Sequence, residues 1–349
     1  MTPPPAALFA LATLSPMGLI ALAALGGGHW ALVALIYMTV ATIALDLLIP
    51  VAAQDDPDRE IEFPAAEALL AGIGLGALCL LPLTVWAIAG PSDMTLPQRI
   101  ALFFAAGLWL GQVGHPAAHE MIHRPTRALR GLGVALYSAL LFGHHASSHR
   151  LVHHRHVATA DDPNTARAGM GFYRFMPRAW VGSFRAGLRA ENQLRARNPA
   201  PGLHPYAVYV GGAIGGLVCG YALAGAAGVA VWAGLGVHAA SQILLSDYVQ
   251  HYGLTRARLA SGKVAPVGAA HSWNTPHWFS QALMLNAPRH SDHHNHPGRP
   301  FATLRLPADA PMLPWPLPLA CLIALAPPLW RSAMRPLLAQ QAAQDASPQ

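Results

Sequence analysis

The sequence predicts an all-α integral membrane protein with six transmembrane helices and a histidine-rich cap on one side. Three observations carry that prediction. Of 349 residues, 53% are hydrophobic and only 11% charged, and the mean hydropathy is +0.34. Several apolar runs reach the ~20 residues that a helix needs to cross a bilayer. Arginine and histidine gather in a few stretches between those runs instead of scattering along the chain.

The N-terminal stretch lacks the basic start and small-residue cleavage site of a signal peptide, so residues 6–25 are read as the first span. Gly26 to Gly28 predict a tight turn, and residues 29–49 a second span. The charged loop from Gln54 to Glu62 reads as solvated, with no chemistry assigned to its acids. Residues 66–89 make the third span. A turn with two prolines, Gly90 to Pro97, precedes the fourth, residues 98–118, which delivers His119 to its end. Between Arg124 and Arg197 there are twelve arginines and few acids, which places this segment in the cytoplasm. Counting back through four spans puts the N-terminus on the same side. Within that segment Leu132 to Phe142 is apolar but too short to cross, and predicts a re-entrant or interfacial helix.

Residues 205–226 and 228–248 form the fifth and sixth spans and return the chain to the cytoplasm at His251. The apolar stretch from Pro311 to Trp330 carries six prolines, so a membrane-surface segment is expected there. Residues 1–338 then form one domain, with 339–349 a frayed tail and both termini cytoplasmic. The net charge of +6 follows the arginine-rich side and does not suggest nucleic acid. Cys79, Cys219 and Cys321 stand singly in apolar segments, so neither a disulfide framework nor a thiolate metal site is indicated.

Histidine supplies the chemistry. There are 19 in the chain, concentrated in HPAAHEMIHRP, GHHASSHRLVHHRH, DYVQHYGL and APRHSDHHNHP. His119 and His123 are spaced i, i+4, which puts two imidazoles on one helix face within reach of one metal. His149 and His153 repeat the spacing with His154 adjacent, His290, His293 and His294 give i, i+3 and i+4, and His251 ends the sixth span. Nine ligands exceed what one zinc takes and suit two metals. All-nitrogen ligation with open positions favours iron and oxygen chemistry over magnesium or calcium.

HEMIH, HRLVHHRHVATADDP, DYVQHYGL, HSWN and RHSDHHNHP together resemble, in order and spacing, the boxes of the membrane-bound alkane monooxygenases. That family belongs with the integral-membrane fatty acid desaturases and xylene-type methyl hydroxylases. The resemblance covers roughly His115 to Phe301 and implies two non-haem irons, terminal hydroxylation of a hydrocarbon, and a bacterial inner-membrane setting. Carried over box by box, the ligands are His119, His123, His149, His153, His154, His251, His290, His293 and His294. The pattern has an acid at the place of Gln250, an asparagine at Asp247 and a glutamine at Pro288. The resemblance also implies two electrons per turnover from a separate rubredoxin- or ferredoxin-type protein. The surface between Arg167 and Arg197 is a candidate dock for it.

Glu120, Asp161, Asp247, Gln250, His271 and Asp292 flank the ligands and are expected to hydrogen-bond around them, with Asp161 and Asp162 alternatives for one role. His115, His144, His145, His156, His277 and His296 are read as non-ligands, His29 as interfacial and His238 as a helix–helix contact. A zinc protease would use HEMIH with Glu120 as base, but leaves RHSDHH unexplained. A metal transporter would set its histidines mid-membrane or in a low-complexity loop. A desaturase or an aryl-methyl hydroxylase would share the irons, and products decide between these and alkane hydroxylation.

Overall fold

A computed structural model describes residues 5–49, 62–199 and 201–346, and among them every regular element is helical. The loop residues 54–61 lie outside the described residues. Among the described residues, five helices are long and apolar enough to cross a membrane: α1 (Pro5–Gly26), α2 (Trp30–Leu48), α3 (Ala66–Ala89), α4 (Leu96–His123) and the 46-residue α8 (Pro205–Gln250). The last is a hairpin. Ala224 (φ −155°) and Gly225 (φ 58°) leave helical geometry, so its two arms bring the crossings to six. The break falls at 224–225, earlier than the expected turn at 227, because Gly225 tolerates the left-handed backbone it requires.

Small residues let the two arms touch. A Cβ on Gly228 would stand 2.0 Å from the Gly220 carbonyl oxygen. Gly228→Val is therefore expected to splay the hairpin and cut the yield of folded, detergent-soluble protein severalfold, as size-exclusion chromatography would show. The α1–α2 turn uses Gly27 and Gly28, both at positive φ, as the glycine run predicts. Side chains such as Leu32, Val40, Ile214 and Val218 project outward and exposed, the arrangement expected of a surface covered by lipid. This is an integral membrane protein.

Two spans carry a π turn, at Tyr37–Ala41 in α2 and Leu110–Gly114 in α4. α4 continues to His123, five residues past its expected end. The apolar run stops at Ala118, but the backbone ladder continues because the polar turn is buried by its neighbours. The Trp109 indole donates to the Thr13 carbonyl at 2.9 Å and ties α4 to α1.

Beyond the spans, α5 (Arg127–Ala139) lies against the end of α4, so close that a Cβ on Gly133 would be 2.9 Å from the Ala118 carbonyl oxygen. The apolar stretch expected as a short helix over Leu132–Phe142 is thus helical, but the helix starts five residues earlier and ends three sooner. Residues 145–156 form α6, and α7 (Phe172–Arg197) packs beside it. Short helices α9 (Trp278–Leu283) and α10 (His290–Asn295) follow the sixth crossing. The proline-rich end forms α11 (Leu317–Ala324) and α12 (Pro327–Ala346). Pro318, Pro327 and Pro328 sit in first turns, where a missing N–H costs nothing. The expected frayed tail after Leu338 is helical to Ala346, with Gln341 buried.

Candidate metal centre

The end of α4, α6, the end of α8 and α10 converge at one end of the bundle. They gather all nine histidines named from the sequence into two adjoining groups. His119, His123, His149, His154 and His293 form one; His153, His251, His290 and His294 form the other. Within each group the ligating nitrogens lie within 4.8 Å of one another. His154 and His294 join the groups, with ring centroids 4.6 Å apart.

Local helix geometry decides which histidine goes where, and here the structure corrects the spacing argument. His149 and His153 do not share a group. Residues His149–His153 form a π turn, whose wider winding aligns residues five apart, so His149 pairs with His154 at 2.8 Å between Nε2 atoms. His153, about 100° around from His154, faces the other group. In α10 the same angle separates His293 from His294, and only His290 and His294, one turn apart, stay together, at 3.2 Å.

The nitrogens suit a metal. His119 and His149 Nε2 are 2.7 Å apart, His154 and His293 Nε2 3.1 Å, and His251 and His290 Nε2 3.0 Å. Two imidazoles held ~2.1 Å from one centre at right angles would stand about 3 Å apart. Nε2 of His123 and of His153 are buried without any hydrogen-bond partner. Burial also pushes His149, His154, His290, His293 and His294 well below the ordinary imidazole range, which holds them in the neutral, ligating form.

Two of the nine imidazoles have their outer nitrogen pinned. Asp162, buried, accepts from His153 Nδ1 at 2.8 Å, which leaves Nε2 free to ligate. The carboxylate also accepts from Thr165 Oγ1 at 2.7 Å and the Asn164 amide at 3.0 Å. Burial opposes charge on both partners, yet each outweighs it for the other: Asp162 is held below the usual carboxylate range and His153 is raised. His251 Nδ1 donates to the His271 carbonyl at 3.1 Å.

The flanking residues divide. Asp161 is exposed and its neighbour Asp162 takes the role, because the turn before Pro163 points only the second acid inward. His271 acts on His251 through its main chain, while its ring accepts from the Gly268 amide at 2.8 Å. Glu120 pairs with Arg124 at 2.8 Å and accepts from the Phe301 amide, rather than touching a histidine. Arg124 in turn binds Glu62, so that loop acid is structural and not merely solvated. Asp292 holds Arg299 at 2.6 Å and the Arg305 amide, closing the loop after α10. Asp247 accepts from Asn164 Nδ2 at 2.6 Å and so backs the Asp162 turn.

Gln250 accepts from Ser246 Oγ at 2.7 Å and donates to the Ala287 carbonyl at 3.1 Å, three residues before His290. Gln250→Glu removes that donor and sets a carboxylate against a carbonyl. It is expected to cost about 1–3 kcal/mol, read as a lower unfolding temperature of the solubilised protein.

Asn274, in the HSWN box, was missed as a positioning residue. Its Oδ1 accepts from the Ser291 amide at 3.0 Å and its Nδ2 donates to Ser291 Oγ at 2.7 Å, clamping the first turn of α10. The non-ligand histidines are mixed: His144 meets Ser183 Oγ at 3.1 Å and His296 meets Asp292 at 2.9 Å. His115 and His145 are buried with no partner on either nitrogen. His238 stacks on Phe103 and lines the cavity described next.

A cavity of about 330 Å³ opens off the histidines between α2, α4, α8 and α11. His119, His149, His290 and His293 line its inner end, and Met38, Leu108, Leu322 and Leu325 lie along its apolar walls. Leu108 is eleven residues before His119, about 16 Å further along α4.

The model of the fatty acid desaturase family matches residues 95–316, a stretch that holds both histidine groups. Alkane 1-monooxygenase 2 of Pseudomonas aeruginosa is 30% identical, over 80% of this chain and 77% of its own. The chain belongs to the fatty acid desaturase family. Within that family it is similar also to alkane 1-monooxygenase 2 of Alcanivorax borkumensis, 28% identical over 80% of this chain and 76% of that one. The xylene/toluene monooxygenase hydroxylase component of Pseudomonas putida is 27% identical over 69% and 65%. This fatty acid desaturase family member thus carries a histidine metal site beside a cavity within its spans.

Proposed function

We propose that this protein is a non-haem di-iron monooxygenase that hydroxylates the terminal carbon of an alkane or related hydrocarbon. The observation that carries the reading is the pairing of two buried imidazole groups with an apolar cavity that runs from them into the membrane spans. Similarity to alkane 1-monooxygenases supports the same substrate class. When bound, the irons supply activation of O2. The chain's own contribution is placement: Asp162 and the His271 carbonyl fix the tautomers of His153 and His251, and the cavity walls align an apolar chain and exclude water.

Electrons would come from a separate rubredoxin-type protein on the cytoplasmic side. Arg167, Arg174, Arg185 and Arg189 are exposed and offer an acidic partner a matching surface. The site and both termini would then face the cytoplasm of a bacterial inner membrane, with residues 1–338 acting as one domain. Charge reversal at Arg185 and Arg189 is expected to raise the KM for the donor protein several-fold while the KM for hydrocarbon holds.

Similarity to the xylene/toluene hydroxylase component keeps an aryl-methyl substrate as the second reading. The test is metal analysis of the purified protein, with gas chromatography of hydrocarbons given to membranes that contain the donor system. Two irons per chain and a primary alcohol are expected. Zinc alone would overturn the reading, and an alkene would replace it with desaturation.

A further inference from the structure

The cavity reaches its far end at His238. Measured from the histidine groups, His238 is the deepest lining residue on α8, thirteen residues or about 20 Å before His251, as Leu108 is on α4. It is only partly buried, and its ring is fixed from behind. The ring lies against Gly107, where a Cβ would stand 2.1 Å from its Nδ1 and 2.9 Å from its Cε1. Phe103 stacks on it with centroids 5.9 Å apart and planes 16° apart, and Phe104 meets it edge-on at 5.7 Å. Phe103 in turn packs on Gly234, one turn beyond His238, where a Cβ would be 3.1 Å from the phenyl ring. Phe103, Phe104, Gly107 and Gly234 all lie outside the cavity lining, so the imidazole is the wall at that end.

We infer that His238 is the end stop of the substrate cavity: its ring bounds the tail of the hydrocarbon and sets the longest chain that binds with its other terminus at the histidines. This rests on the hydroxylase reading and deepens it by naming a residue that selects chain length. The position suits the task because the ring cannot recede. The missing side chain at Gly107 makes the room that the ring occupies, and two phenyl rings hold its plane. A substrate longer than the space between His238 and the histidines must bend or leave its tail unburied, and each methylene left out costs about fourfold in affinity. His238 meets the tail and not the reacting carbon, so it governs KM and leaves the chemical step alone.

The test measures KM and kcat for even-numbered alkanes from hexane to hexadecane, using iron-loaded protein in membranes with its electron donor. In the wild type, KM is expected to fall with each added carbon up to one length and then to rise. His238→Ala should move that limit up by about two carbons, the room an imidazole leaves, and lower KM for the first excluded alkane about tenfold. Gly107→Ala should do the reverse and shorten the limit by about one carbon, because its methyl pushes the ring toward the cavity while Phe103 and Phe104 close the other sides. The double variant should show the His238→Ala profile, since the added methyl then has no ring to displace. His238→Leu, which fills similar space without nitrogen, should keep the wild-type limit, and a longer limit there would overturn a steric stop. If His238→Ala does not accumulate, Gly107→Ala carries the test in the opposite direction. If alkanes are hydroxylated but every variant keeps the wild-type limit, or kcat falls equally at all lengths, the inference fails and the hydroxylase reading stands. If the wild type oxygenates no hydrocarbon of any length, both fail.

Discussion

His153→Ala and His154→Ala, although neighbours in the chain, are expected to empty different metal positions. Each should lower hydroxylation more than about 100-fold, beyond the ~10–100-fold typical of losing a residue that only supports a ligand. His154 sits with His119, His123, His149 and His293, and His153 with His251, His290 and His294. Iron content should fall toward one per chain in each variant, with different remaining Mössbauer signals from 57Fe-loaded protein. The protein should stay in the membrane, since neither side chain anchors a span. Identical residual signals would show that the two groups do not hold separate irons. Full turnover in either variant would remove that residue from the ligand set.

Asp162→Ala is the second large effect. The carboxylate is buried, accepts from His153, Thr165 and Asn164, and is linked through Asn164 to Asp247. Without it, His153 loses the partner that selects its tautomer and holds its ring, and the Asn164 amide loses its acceptor. Turnover is expected to drop about 10–100-fold, with weaker iron binding at the His153 group. Asp162→Asn, which keeps an acceptor oxygen, should fall between wild type and alanine. The matched control is Asp161→Ala, one residue away and exposed, which should leave iron content and rate at wild-type levels. If the Asp161 change is the damaging one, the turn before Pro163 is reversed from the arrangement described.

Much of the frame was legible because a bilayer imposes it. Runs of apolar residues at bilayer length predict spans whatever else the chain does, and Gly26–Gly28 and the glycine near 225 mark the reversals between them. The candidate metal-site residues were legible for a chemical reason: few side chains other than imidazole ligate a transition metal, and histidines at ligand spacing rarely cluster so densely. Roles were harder to read. Asp161 and Asp162 are the same residue type side by side, and only the packed turn shows which is buried. His271 was a sound choice of position but not of atom, since its carbonyl does the work expected of its ring. Asn274 gave little signal, as an asparagine near a tryptophan reads like any loop residue until Ser291 is found against it.

What the amino-acid order determined on its own is the set of spans, the identity of nine convergent imidazoles and the polar stretches that carry them. Periodicity and side-chain chemistry are local, so no tertiary information is needed to read them. What only the folded chain decided is the partition of those imidazoles into two groups and the burial of Asp162. Each depends on a local turn: a π turn in place of an α turn at His149–His153, and the turn before Pro163 that points Asp162 rather than Asp161 inward. These turns are backed by groups far away in the chain, such as Asp247 against Asn164 and His293 against His154, which nothing within one segment encodes.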